Sequence, residues 1–171
     1  MTTEGIGVTG HQARPGIDWE WVADRIRDQL IERAPVGRAF SSLAAGSDQV
    51  FAEQALALGI PVTAIIPLPD YERCFEEKLD DYRSLLARCD QIVLDGAGTD
   101  QEAFLEAGRE VVDRVDVLFA IWDGKVAQGL GGTADVVDYA LGRGRAIVHI
   151  DPIERTVHDI NPAGQTGTDI G

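Results

Sequence analysis

The sequence predicts a single doubly wound α/β domain, with a mainly parallel sheet of about six strands flanked by helices. Three observations carry this expectation. Short segments rich in apolar or β-branched residues recur at 5–9, 39–43, 61–66, 91–94, 115–122 and 146–150, with helical patterns between them. The stretch 115–122 is almost continuously apolar, as a strand covered on both faces must be. Glycine-bearing turns follow the first, second and fifth strands, where an open α/β sheet gathers its ligand-binding loops.

Residues 5–9 form the first strand, which breaks at Gly10. Asp18 then stands as an N-cap, with Ile17 and Val22 spaced as a hydrophobic staple. Trp19, Val22, Ile26 and Leu30 follow at helical spacing, so the helix runs to about Ala34 before Pro35. After the second strand at 39–43, Ser47 can cap a helix whose Phe51, Ala55 and Leu58 share one face until Gly59. The β-branched stretch 61–66 is the third strand. Residues 71–88 predict one charged surface helix and 91–94 a fourth strand. Thr99-Asp100-Gln101-Glu102 is a capping box that opens a helix to about Arg114. The apolar strand 115–122 belongs at the centre of the sheet. A glycine-rich loop, a helix at 134–141 and a sixth strand at 146–150 complete the pattern. Residues 1–160 thus form one domain, and 161–171, glycine-rich with little apolar content, are expected to be a flexible tail.

A chain of 171 residues, 44% hydrophobic and 26% charged, is long enough to bury a substantial core. It contains no apolar run approaching the ~20 residues that cross a bilayer. Its first residues lack the basic start and apolar core of a signal peptide. No membrane partner and a cytoplasmic location are therefore expected. Cys74 and Cys89 lie far apart with no Cys/His cluster, so they read as core or helix-face thiols, and no metal or cofactor is expected. Net charge is −14, which repels a polyanion and makes nucleic acid an unlikely partner. It does not argue against a small anion, because a few arginines and helix N-termini reverse the potential locally.

The candidate chemistry sits at the strand ends. Gly10 lets the backbone turn tightly beside a ligand, and His11 and Arg14 in the same turn can meet phosphate. Gly46, Ser47 and Asp48 start a helix, where small residues and free N–H groups favour an anion. Ser47 and Asp48 are equally the residue types of any helix start. Gly129-Leu130-Gly131-Gly132-Thr133-Ala134-Asp135 is the sharpest feature. Gly131 and Gly132 before a helix with Thr133 as its N-cap form a phosphate cradle, although neither the GxGxxG fingerprint nor a P-loop is present. Asp135 suits the helix dipole and, if it faces the pocket, ribose hydroxyls or the sugar itself. Trp122 can stack on a base and Asp123 can bind ribose, though Trp122 suits a core position equally well. Arg109 lies on the helix before that strand, where a solvated face is the default.

The ordered set Thr9-Gly10-His11, Leu43-Ala44-Ala45-Gly46-Ser47-Asp48, Ala107-Gly108-Arg109, Val111-Val112-Asp113, Trp122-Asp123-Gly124 and Gly131-Gly132-Thr133-Ala134-Asp135 resembles the SLOG superfamily over roughly residues 5–150. The resemblance implies a Rossmann-like fold, a small-molecule nucleotide or NAD-related ligand, and a homodimer. It relates the chain to non-catalytic nucleotide sensors, to LOG-type phosphoribohydrolases and, more distantly, to DprA-like domains. The enzymes cleave base from nucleoside 5′-monophosphates, and this alternative would make Asp135 and Arg109 the catalytic residues. They carry the motif PGGxGTxxE; aligned on Gly132-Thr133, it places Val136 where they have glutamate. A nucleotide-binding sensor is accordingly the first reading and a hydrolase the second.

Overall fold

The computed structural model describes residues 3–12, 15–125 and 132–162. Seven strands form one sheet: β1 (Thr3–Gly10), β2 (Val36–Ser41), β3 (Val62–Ile66), β4 (Asp90–Val93), β5 (Val117–Ile121), β6 (Ala146–Asp151) and β7 (Thr156–Ile160). Their order is β4-β3-β2-β1-β5-β6-β7, parallel except for the antiparallel β6–β7 pair. Five helices connect them: α1 (Trp19–Glu32), α2 (Ser47–Ala57), α3 (Leu79–Leu86), α4 (Asp100–Asp113) and α5 (Thr133–Gly142). This is a Rossmann-like α/β arrangement. The chain leaves β1 towards β2 on one side, whereas β5 pairs with β1 on the other. That reversal opens a crevice beyond the carboxyl ends of β1 and β5.

Strand alternation sorts the core into two layers. Ile6 and Val8 of β1, with Phe119 and Ile121 of β5, pack with Val22, Ile26 and Phe51 of α1 and α2. Leu118 and Ala120 of β5 face the opposite way, into a cluster with Val111, Val112 and Val137 of α4 and α5. On this second face Gly7 admits α4 directly onto β1, because a methyl group there would overlap Val111 Cγ1. Two of the four predicted caps hold. Asp18 Oδ1 accepts from the amides of Glu20 and Trp21 at 3.1 and 3.2 Å, and Thr99 with Glu102 closes a reciprocal capping box.

Two expectations fail. The single helix predicted over 71–88 is broken into a 3₁₀ turn, Tyr71–Cys74, and α3. Phe75 is extended and Lys78 is left-handed at φ 66°, which lets Tyr71, Phe75 and Tyr82 meet edge to face or tilted instead of lying along one helical stripe. The seventh strand was not expected, because Thr156–Ile160 is an edge strand of mixed polarity joined to β6 through a tight turn at Arg155. Of the predicted tail 161–171, residues 163–171 lie outside the described residues.

Gly7→Ala should cost about 1–3 kcal/mol, the usual range for overpacking. Truncating Val111 to Ala in that background should recover part of the loss, measured by urea denaturation as a double-mutant cycle. Simple additivity of the two changes would show that the helix–strand approach is not limited at this point.

Candidate functional site

The ends of β1, β2 and β5 and the start of α5 line one cleft of about 830 Å³. Gly10, His11 and Gln12 come from β1 and the turn after it. Ser42, Ala44 and Asp48 come from the β2–α2 connection, and Trp122, Asp123 and Lys125 follow β5. Gly132, Thr133 and Ala134 contribute the first turn of α5.

One carbonyl ties the turns together. His11 O accepts from both the amide and the hydroxyl of Ser47, at 3.1 and 2.8 Å, while His11 N donates to Ile121 O at 2.9 Å. This requires two close approaches. A Cβ at Gly10 would fall 2.6 Å from Ile121 O and 2.6 Å from Ser47 Oγ. Gly46 has φ 90° and passes so near the Gln12 backbone that a Cβ would lie 2.8 Å from it. His11 Nε2 accepts from the Asp123 amide at 3.3 Å and lies 3.8 Å from Asp123 Oδ1, so the β5 end is joined to the same turn.

Helix ends differ around the molecule. α1 and α4, which carry side-chain caps, begin away from the cleft. α2 and α5 begin with Gly46 and Gly132 at the N-cap and have no side-chain cap hydrogen bond. At α2 the Ser47 and Gln49 amides already donate to His11 O and Ala44 O, so it is at the α5 start that an anion can use first-turn amides. Thr133 is therefore the first helical residue of α5 and not its N-cap; the extended backbone at the cap position falls on Gly132, at φ −74° and ψ 170°. Ser47 likewise is not a cap, since Gly46 takes that place and the Ser47 hydroxyl turns back to His11 O.

Asp48 is the electrostatic exception within the cleft. It stands in the first turn of α2, opens on the cleft by one edge and is otherwise enclosed by protein. Burial lifts its carboxyl from 3.8 to about 7, against a small opposing effect of the Ala44 amide, which donates to Oδ2 at 3.4 Å. Near neutral pH this group can hold or release a proton at the cleft surface. Among the other charged groups in the wall, Arg73 is held by Asp70 and, through a two-point fork, by Asp100.

The predicted site residues thus divide. Gly10, His11, Asp48, Trp122, Asp123, Gly132 and Thr133 line the cleft. Gly46 and Ser47 stand behind its wall and shape it. Trp122 is mainly a packing residue: it is 8% exposed, its indole N–H donates to Lys125 O at 2.9 Å, and its ring rests on His149 at 4.4 Å. Arg109 lines a separate, smaller depression beside Asp95, Glu102 and Glu106, with its guanidinium 5.5 Å over the Tyr139 ring. Asp135 is in the first turn of α5 but is not among the described residues that line the cleft. Arg14 and Gly131 lie outside the described residues. The reading of the sequence missed Tyr71, Phe75 and Phe104 in the cleft wall, because 71–88 reads as a surface helix. The available signal was Pro67, which ends β3 and makes it a fourth strand end at the same rim. Among the described residues, no group of three or more metal-ligating side chains occurs, and no helix is long and apolar enough to cross a membrane.

No family model and no curated protein matches the chain. Solved structures do. DNA processing protein A (DprA) from Streptococcus pneumoniae matches with a TM-score of 0.60 at 18% identity, over 86% of this chain and 50% of that one. DNA processing protein A from Helicobacter pylori, whose structure concerns single-stranded DNA binding, matches at 0.59 and 16%, over 86% and 65%. The molybdenum cofactor binding protein from the phototrophic bacterium Rippkaea orientalis matches at 0.53 and 19%, over 87% and 77%. This chain therefore spans half to about two thirds of the two DNA processing proteins. At these identities the likeness establishes the shared Rossmann-like fold. That fold is no argument against nucleic acid; the expectation against it rests on charge alone.

Asp48→Asn tests the electrostatics. Because the folded carboxyl titrates above its unfolded value, the native state binds the extra proton, and stability falls as pH rises from about 4 to 7. The variant should be more stable than the parent at pH 8, by about 1–3 kcal/mol given the edge open to water, and equal to it near pH 3. Thermal melts across that range check this; parallel pH curves would show an ordinary carboxylate.

Proposed function

We propose that the cleft binds a nucleotide or nucleotide-derived small molecule, as a sensor domain of the SLOG type would. The observation that carries the reading is the start of α5 at Gly132, which has no side-chain cap and opens on the cleft beside the Gly10–His11 turn at the topological switch point. The phosphate belongs at the Gly132-Thr133-Ala134 turn and the Gly10–His11 backbone, where no side-chain carboxylate caps the amides. Asp123, across the same turn, suits ribose hydroxyls. The order of short motifs along the chain supports the superfamily assignment, and the fold shared with DprA and a molybdenum cofactor binding protein is compatible with it.

A hydrolase reading is favoured by one residue. Asp48, with its carboxyl near 7, has the proton affinity of a general acid at neutral pH. Asp135 and Arg109 do not support that reading, since neither lines the cleft among the described residues. Val136, which aligns with the glutamate of the LOG motif, is 3% exposed. Release of free base from nucleoside 5′-monophosphates, followed by chromatography, separates the two readings. Turnover abolished by Asp48→Asn with binding retained would establish the hydrolase.

The binding reading is tested by thermal shift with nucleoside monophosphates, ADP-ribose, NAD and cyclic nucleotides. A ligand at 100 times its Kd should add about 2.7 kcal/mol of stability. Gly132→Val should weaken that ligand by at least about tenfold, roughly 1.4 kcal/mol, while the melting temperature of the free protein changes little. If no member of the panel shifts the melt, the reading fails.

A further inference from the structure

The cleft continues past Asp48 to a wall of three aromatic side chains, Tyr71 and Phe75 around the 3₁₀ turn and Phe104 on α4. The Tyr71 ring centroid lies 5.0 Å from that of Phe75 and 6.3 Å from that of Phe104, with both neighbours edge-on. Tyr82 backs this group at 5.5 Å from Tyr71 and 4.6 Å from Phe75. Phe75 and Phe104 remain partly exposed towards the cleft. Tyr71 is only 5% exposed but reaches the cleft lining, with its phenol in the neighbourhood of Asp48. Burial, with Asp48 close by, holds this phenol well above its usual range, so it is a neutral donor throughout.

The wall is held in place from outside. Arg73, two residues after Tyr71, forks onto Asp100 in the first turn of α4 at 2.9 and 3.0 Å. Arg83 of α3 forks onto Glu72 at 2.8 and 3.0 Å. These pairs join the 3₁₀ turn to both flanking helices, with Tyr71 packed in the core and Phe75 partly exposed at the cleft. The position is also informative. β3, which leads into the wall, is separated from β5, which leads towards α5, by β2 and β1. Three strand spacings amount to about 14 Å. The cleft therefore has an anion-accepting end at the α5 start and an aromatic end beyond Asp48.

We propose that Tyr71, Phe75 and Phe104 form a subsite for the heterocyclic base of a mononucleotide, with the Tyr71 hydroxyl and the Asp48 carboxyl hydrogen-bonding to the base edge. This rests on the phosphate placement above and extends it: the base lies at the β3 end, not against Trp122. Partly exposed rings supply a stacking face that every base can use. The hydroxyl donor and the carboxyl beside it supply the discrimination between bases.

Calorimetric titration of the intact chain with AMP, GMP, CMP, UMP and ribose 5-phosphate tests the subsite without any substitution. At least one monophosphate should bind between about 5-fold and 100-fold more tightly than ribose 5-phosphate, the range that stacking on aromatic side chains provides. Phe104→Leu and Phe75→Leu, which keep apolar volume, should each erode that advantage and leave the ribose 5-phosphate affinity unchanged. Tyr71→Phe should narrow the spread among the four bases. If ribose 5-phosphate binds as tightly as every monophosphate, the base subsite is overturned and phosphate binding stands. If the advantage survives in both leucine variants, the base sits elsewhere and the assignment is wrong. If none of the five probes binds, both the subsite and the nucleotide reading fall.

Discussion

The carbonyl of His11 is the point on which this molecule turns. It accepts two hydrogen bonds from Ser47 while the neighbouring amide donates to Ile121, so three elements distant in sequence meet within one residue. Such convergence is possible only because neither Gly10 nor Gly46 carries a Cβ, each passing within van der Waals contact of another backbone. Moving α2 outward by the width of a methyl group would break the Ser47 bonds and leave a buried hydroxyl, 0% exposed, without its partner. The cleft is the space left beyond this clamp. Its dimensions follow from how closely the helix start approaches the β1–β5 pair, and so do the places of Asp48 and Asp123.

A chain with 29 acidic and 15 basic side chains that binds an anion, as proposed, has few cations with which to do it. Backbone amides would supply most of the attraction. The α5 start has no capping side chain, although Asp135, like Asp48 on α2, puts a carboxylate in the first turn. Arg73 contributes little net charge to the cleft, because Asp70 and Asp100 already neutralise it; its effect is mechanical, joining the 3₁₀ turn to α4. The raised Asp48 carboxyl fits the same economy. A protonated acid beside an anion adds a hydrogen-bond donor, where an ionised one would add repulsion.

The fold was legible because its signals are local and repeated. The Asp18 cap, the Thr99–Glu102 box and the apolar 117–121 stretch each depend on a few neighbouring residues, and all appear as expected. The site was legible at the strand ends, where glycines mark close approaches. It was not legible where tertiary packing overrides helical periodicity. Residues 71–88 read as one amphipathic surface helix, but burying Tyr71, Phe75 and Tyr82 together requires the left-handed Lys78 and the break it makes. Nor could residue type separate a cap from a first helical residue. Ser47 and Thr133 are ideal cap residues, and in both cases the preceding glycine occupies the cap position instead. Arg109 shows the same limit for charge: its helix position is right, but its side chain turns over Tyr139 on the other side of α4.

A sheet whose order reverses between β1 and β5 makes a crevice whatever side chains surround it, which is why one architecture serves a DNA-processing protein and a cofactor-binding protein alike. What a given chain accepts depends on the reach of the charge around that crevice. On the proposed reading the anion-accepting groups are amides at the α5 start, whose influence fades within a turn, in a chain of net charge −14. Groups of such short reach suit a ligand with one short anionic end. On the proposed reading the aromatic wall at the opposite end of the cleft complements that anionic end, since three rings would offer a flat heterocycle a face to stack on.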